Sequence, residues 1–236
     1  MLHTPPSADA PARPARFASA GTSALRAQSV PVRPCRKHGT TSPNRPVIYL
    51  RRLSGNRRTL REIELMDNDV DTLHAQIITY LGKISRLSLT EKQTATLMRL
   101  MAAVNDLENI GDVVETNLIV LGRERIDAGV SISGPTRQVL MGFHQVVTRS
   151  VAAAVQAVAQ NNELAARSVT SMKQEIQHIA DSAAIHQAQR LVAEEPNRIP
   201  AYTIEIDIIE KLKRIYYFAK RMAKTVETDE EEDGAS

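Results

Sequence analysis

A spacing constrains this chain more than any other feature. Between about residues 58 and 85 its apolar side chains fall at Leu60, Ile63, Met66, Val70, Leu73, Ile77, Leu81 and Ile84, always three or four apart. Such steps build one stripe on an α-helix and cannot line one face of a strand. The pattern recurs along the chain. Thr90 and Gln93 form a capping box that opens a second helix through Leu97, Leu100, Val104, Leu107, Gly111, Val114 and Leu118. Gly122 is its expected stop. After a loop, Arg123–Gly134, Pro135 suits the start of a third helix through Val139, Phe143, Val146, Ser150, Ala154 and Val158. Asn161-Asn162 breaks it, and Asn162 can cap a fourth helix through Val169, Met172, Ile176, Ile179 and Ala183. Pro200 opens a fifth, through Ile204, Ile208, Leu212, Ile215, Phe218, Met222 and Val226. The expected fold is therefore all-α, an antiparallel helix bundle.

Composition agrees. With no Trp, three Phe and five Tyr, the core must be aliphatic. No run of eighteen apolar residues occurs, so no transmembrane helix is expected. Cys35 has no partner for an intramolecular disulfide, which fits a reducing compartment.

Charge divides the chain. Residues 1–58 hold eleven Lys/Arg and one acid, Asp9, whereas residues 59–236 hold nineteen Lys/Arg and twenty-six Asp/Glu. The acidic helical part is a poor nucleic-acid partner. Residues 1–56, rich in Pro, Arg, Ser and Ala, show no sustained apolar period and are expected to be disordered. Three readings of that segment stand: a transit-peptide-like leader, a basic arm for anionic surfaces, or a spuriously translated N-terminus. Residues 57–228 form the expected helical domain, and residues 229–236 an acidic tail also expected to be disordered.

The fourth helix echoes the first at a shift of 106 residues: Asn56 with Asn162, Met66 with Met172, Asp69 with Glu175, Val70 with Ile176. The fifth echoes the second through Leu107 with Leu212 and Ile110 with Ile215. Two units are expected, residues 57–122 and 135–228. The third helix has no counterpart before residue 56, so the first unit lacks its first helix.

The sharpest chemistry lies in Asn105-Asp106-Leu107-Glu108-Asn109-Ile110-Gly111-Asp112. Glu108 and Asp112 share a helix face. Asp67 and Asp71 do the same on the first helix, with His74 three residues on. Antiparallel packing of the two helices could unite the pairs. Oxygen-rich sets suit hard or borderline cations such as Mg²⁺, Mn²⁺, Ca²⁺ or iron. Such acids are more often solvated surface, so that reading stays open beside the metal one. A di-iron enzyme would need two Glu-x-x-His motifs, and Asp71-x-x-His74 is one distorted half. There is no Gly-rich phosphate loop, zinc spacing or nucleophile elbow, and no catalytic residue is assigned. Tyr216-Tyr217-Phe218, among Lys211, Lys213, Arg214, Lys220, Arg221 and Lys224, could form an aromatic, basic docking patch for a partner or an anionic membrane surface.

The run Asn105–Asp112 resembles the signature of PhoU-domain proteins, which regulate phosphate uptake. The chain is more similar still to the cytoplasmic PhoU-like domain that follows the membrane part of bacterial Na/phosphate cotransporters. Met66–His74, Asp106–Asn117 and Ile209–Lys224 carry the likeness, over roughly residues 56–228. It implies a tandem three-helix repeat, here without its first helix, and acidic motifs that hold metal clusters. On this chain the implied metal residues are Glu108, Asp112, Asp67 and Asp71, with Mg, Mn or Fe as the implied ion. The second unit departs from the motif, with Lys213 and Tyr217 at the aligned places. The resemblance implies a non-enzymatic regulator, cytoplasmic or at the inner membrane face, whose partner is a phosphate transporter or phosphate-signalling protein. On this resemblance the chain is expected to be a detached or truncated product, with residues 1–55 in place of the membrane part and the first helix. The uncovered stripes of the first two helices add an expectation of self-association. A structural bundle without metal, and a carboxylate-bridged metal enzyme, are the alternatives.

Overall fold

The structure, a computed structural model, describes residues 57–192 and 197–227. The basic N-terminal segment and the acidic tail lie outside them. Among the described residues seven α-helices follow in order: α1 Arg57–Ile84, α2 Glu91–Asp112, α3 Val120–Asp127, α4 Gly134–Gln160, α5 Glu163–Ser171, α6 Lys173–Leu191 and α7 Arg198–Lys224. A π-helical segment, Val113–Ile119, joins α2 to α3 without a break. Among the described residues there is no strand, and the expected all-α bundle stands.

The caps explain most boundaries. Thr90 accepts from the Gln93 amide, and the Gln93 side chain accepts from the Thr90 amide at 2.9 Å. Ser133 caps α4. Asn162 accepts from the Ala165 amide at 3.0 Å and so opens α5. Asn161 ends α4 in the left-handed conformation that asparagine tolerates.

The second helix does not stop at Gly122. That residue is buried inside α3, and the chain stays helical to Asp127. The glycine that ends it is Gly129, whose φ of +61° disfavours other residues. There the Val130 amide donates to the Arg125 carbonyl at 2.9 Å, the long bond of a Schellman motif. The fourth helix is two helices, bent at Met172. Ser168, Thr170 and Ser171 turn their hydroxyls back onto carbonyls of the preceding turn. Tyr216 donates its buried hydroxyl to the Val169 carbonyl at 3.0 Å, an acceptor that a straight helix would use itself.

Helix α7 is the centre of the bundle and packs against α2, the π segment, α3, α4, α5 and α6. It buries Ile204, Ile208, Leu212, Ile215, Phe218 and Met222 on one broad face. Tyr216 and Phe218 are buried too, so the expected three-residue aromatic patch does not exist. Consecutive helical residues point about 100° apart, and Tyr217 alone of the three reaches the surface.

Helix α1 sits at the margin. Its ends are anchored by Leu60, Ile63 and Leu81, the first two against Ile119 of the π segment. Ion pairs Arg57–Asp127 and Arg123–Glu64 tie it to α3. The expected continuous buried stripe fails in the middle, where Met66, Val70 and Leu73 are 37%, 37% and 56% exposed. They face an open groove.

Candidate functional site

The groove runs between α1 and α4, with α2, the π segment and α7 beneath it, and has a volume of about 360 Å³. Its lining is mostly aliphatic: Met66, Val70, Leu107, Val114, Val147 and Val151 among others. Helix α2 can supply it because that helix is apolar on two faces. Ala103 is buried in the bundle core, with Val113 of the π segment beyond it, while Val104, Leu107 and Ile110 line the groove, with Val114 of the π segment.

Acids gather along the same groove. Asp67 and Glu108 line it. The Asp67 carboxyl is pushed up from 3.8 to about 6, first by burial and then by the negative charges of Asp71, Glu115, Asp112 and Glu108. Asp71 on the same helix, and Glu108 and Asp112 across the α1–α2 contact, thus all act on Asp67. Glu115 joins them, one turn beyond Asp112, and was not foreseen. Gly111 lies at the crossing, and a methyl group there would meet Asp67 Oδ1 at 3.4 Å.

His74 leans over the same helix. Its Nδ1 is 3.6 Å from Glu108 Oε2, and its Nε2 is 3.4 Å from Asn105 Oδ1. On the opposite wall His144 stands 3.3 Å from the Thr148 hydroxyl, and burial pushes its imidazole down to about 4. It is neutral at ordinary pH. Nothing in the spacing of α4 singled it out.

The donor set suits a hard cation in type and in charge, since it is almost all carboxylate. Its arrangement is looser. Among the described residues no three His, Cys, Asp or Glu side chains are grouped as a metal ion would hold them.

Asp106, one residue from the groove face, points the other way. It is 2% exposed, and Arg221 Nε of α7 lies 3.4 Å from its Oδ2. Its second oxygen has no hydrogen-bond partner. Asp106 is a packing acid that joins α2 to α7, not part of the acidic face.

Residues 53–116 match the family model of the PhoU domain. The match covers α1, α2 and the start of the π segment, the elements that carry the acids. The fold is similar to the crystal structure of PhoU from Pseudomonas aeruginosa, with a TM-score of 0.69 and 18% identity, over 78% of this chain and 87% of that one. At that identity the likeness shows the fold. No curated protein matches the chain. Among the described residues no helix is long and apolar enough to cross a membrane.

Proposed function

We propose that this chain is a PhoU-type regulatory domain acting in phosphate homeostasis through protein contacts rather than catalysis. The observation that carries the reading is the coincidence of the family match with the acidic α1–α2 crossing. The finer reading is association with a sodium-dependent phosphate transporter or a phosphate-signalling partner at the inner membrane face. Support for it comes from the sequence likeness of Met66–His74, Asp106–Asn117 and Ile209–Lys224. The test is phosphate uptake in cells with and without the chain, at low and high external phosphate. Loss of the chain should alter how uptake responds to phosphate; an unaltered response at both levels overturns the proposal.

A second reading adds a cation at the acidic face. The carboxylates of Asp67, Asp71, Glu108 and Asp112 would hold Mg²⁺, Mn²⁺ or iron, and the ion would supply the positive charge that Asp67's surroundings lack. The raised Asp67 carboxyl favours it, and the loose grouping of the acids means that they must draw in to ligate. Metal analysis of the purified chain and thermal shift with each ion test it. Binding should vanish in Asp67→Asn/Glu108→Gln; no metal and no shift would leave the acids as a solvated face.

Self-association is part of the proposal, since Leu65 and Tyr80 of α1 and Met98 of α2 present apolar surface outside the groove. A monomer by light scattering at micromolar concentration would discard it.

A further inference from the structure

The apolar groove and its acids define what could fill it: a short segment with alternating or contiguous aliphatic side chains and at least one nearby cation. The chain itself contains such a segment. Arg45-Pro46-Val47-Ile48-Tyr49-Leu50-Arg51-Arg52-Leu53 holds the densest apolar run before α1, flanked by three arginines. Residues 1–56 carry nine Lys/Arg and one acid, Asp9. We propose that residues 45–53 dock in the groove between α1 and α4, with Val47, Ile48 or Leu50 against Met66 and Val70 and an arginine against Asp67.

Three observations support this occupant. The first is charge. Asp67 lies among four other acids, and an arginine there relieves a repulsion that the helices alone leave standing. The second is reach. The groove follows α1 from Ile63 to Ile77, about 21 Å at ~1.5 Å per residue. Residues 47–53 span at most about 23 Å when fully extended. Ser54-Gly55-Asn56, the residue types that reverse a chain, lie between the segment and the start of α1. Ile63 is only about 9 Å along the helix from Arg57. The third is size. A volume of about 360 Å³ is in the range of clefts, roughly 300–1,000 Å³, that hold a few side chains rather than a second core. The tether makes docking intramolecular and raises the local concentration of the segment to the order of millimolar. The consequence is self-occlusion: anything else that uses the groove or its acids competes with the chain's own residues.

The experiment measures that competition. A labelled peptide of residues 44–54 is titrated into the full chain and into the full chain carrying Ile48→Asp/Leu50→Asp. If nine-tenths of the wild-type grooves are self-occupied, the variant binds the peptide about tenfold more tightly. Adding Val70→Arg, at a position already on the surface, should abolish that binding. Arg51→Glu/Arg52→Glu, which keeps the apolar residues, should fall between wild type and the apolar variant. Equal binding by wild type and Ile48→Asp/Leu50→Asp, or none by either, overturns the proposal. So does peptide binding that Val70→Arg leaves unchanged, or an Arg51→Glu/Arg52→Glu chain that behaves as wild type. A dimer that persists in Ile48→Asp/Leu50→Asp and dissociates on Val70→Arg assigns the groove to a second copy and likewise overturns it. None of these outcomes depends on the phosphate or cation readings.

Discussion

Gly111 of α2 stands against Asp67 of α1, so close that a methyl group on Gly111 would lie 3.4 Å from Asp67 Oδ1 and 3.6 Å from Val70 Cγ1. Both distances are ordinary van der Waals contacts. The glycine eases the approach of α1 but is not demanded by it, and its φ is not left-handed. A helix-interior glycine costs about 1 kcal/mol relative to alanine. Gly111→Ala is therefore expected to stabilise the fold by roughly 0.5–1 kcal/mol in urea unfolding. A loss of stability would show that Asp67 depends on water reaching it past Gly111.

Asp67 makes stability depend on pH in an unusual direction for an acid. Its carboxyl titrates at about 6 in the fold against an ordinary 3.8, so the folded chain holds the proton more tightly than the unfolded one. Stability then falls as pH rises through that interval, because the folded state must give up a proton that the unfolded state has already lost. Asp67→Asn removes the charge but keeps the shape. In the Ile48→Asp/Leu50→Asp chain, whose groove is left open, it should raise the melting temperature at pH 7 to 8 and leave it unchanged near pH 4. Thermal scans at both values decide; the gain should shrink in the otherwise wild-type chain, where an arginine faces Asp67, and a loss of stability in the open-groove chain would mean that a cation compensates Asp67.

The helix period made the bundle legible, and the polar residues at Thr90 and Asn162 marked two starts correctly. What periodicity cannot supply is cover. It shows that Met66, Val70 and Leu73 share a face with Leu60 and Leu81, but not that only the ends of that face find partners. Gly122 and Gly129 look alike as stops, and only the backbone conformation at Gly129 tells them apart. The acids at Asp67, Asp71, Glu108 and Asp112 were readable because each pair repeats at four residues. Asp106 was not, since its burial depends on Arg221, far along the chain on α7. His144 entered the groove wall only when α4 was laid beside α1.

Tyr216 lies beside the bend at Met172, its hydroxyl donating to the Val169 carbonyl at 3.0 Å in the interior. Tyr216→Phe deletes that donor and leaves the Val169 carbonyl with the Met172 amide alone, 3.2 Å away. The expected cost is roughly 0.5–1.5 kcal/mol, the net contribution of one hydrogen bond. Denaturant unfolding measures it. A neutral result accompanied by stronger hydrogen-exchange protection at Lys173 would mean that the carbonyl has been recaptured by a straightened α5–α6 helix, and that Tyr216 causes the bend.

Arg198 and Glu205 form the most deeply enclosed ion pair among the described residues, with side chains 6% and 0% exposed and Arg198 Nη2 donating to Glu205 Oε2 at 3.1 Å. Arg198 Nη2 also lies 3.0 Å from Gln187 Oε1, which accepts from it. Burial pushes the Glu205 carboxyl up, and the hydrogen bond and charge of Arg198 oppose that. The network is incompletely satisfied: Glu205 Oε1, Gln187 Nε2 and Arg198 Nε have no hydrogen-bond partner. A pair of this kind is costly to break and cheap to replace. Glu205→Ala strands a guanidinium in the interior and should cost about 3–5 kcal/mol. Arg198→Met/Glu205→Leu removes both charges, fills the space with apolar atoms, and should recover most of that loss. A double-mutant cycle by urea unfolding reads the difference as the coupling between them. If Glu205→Ala costs less than about 1 kcal/mol, Arg198 has escaped to water from its place at the first turn of α7, and its hydrogen bond to Gln187 of α6 contributes little to holding α6 against α7.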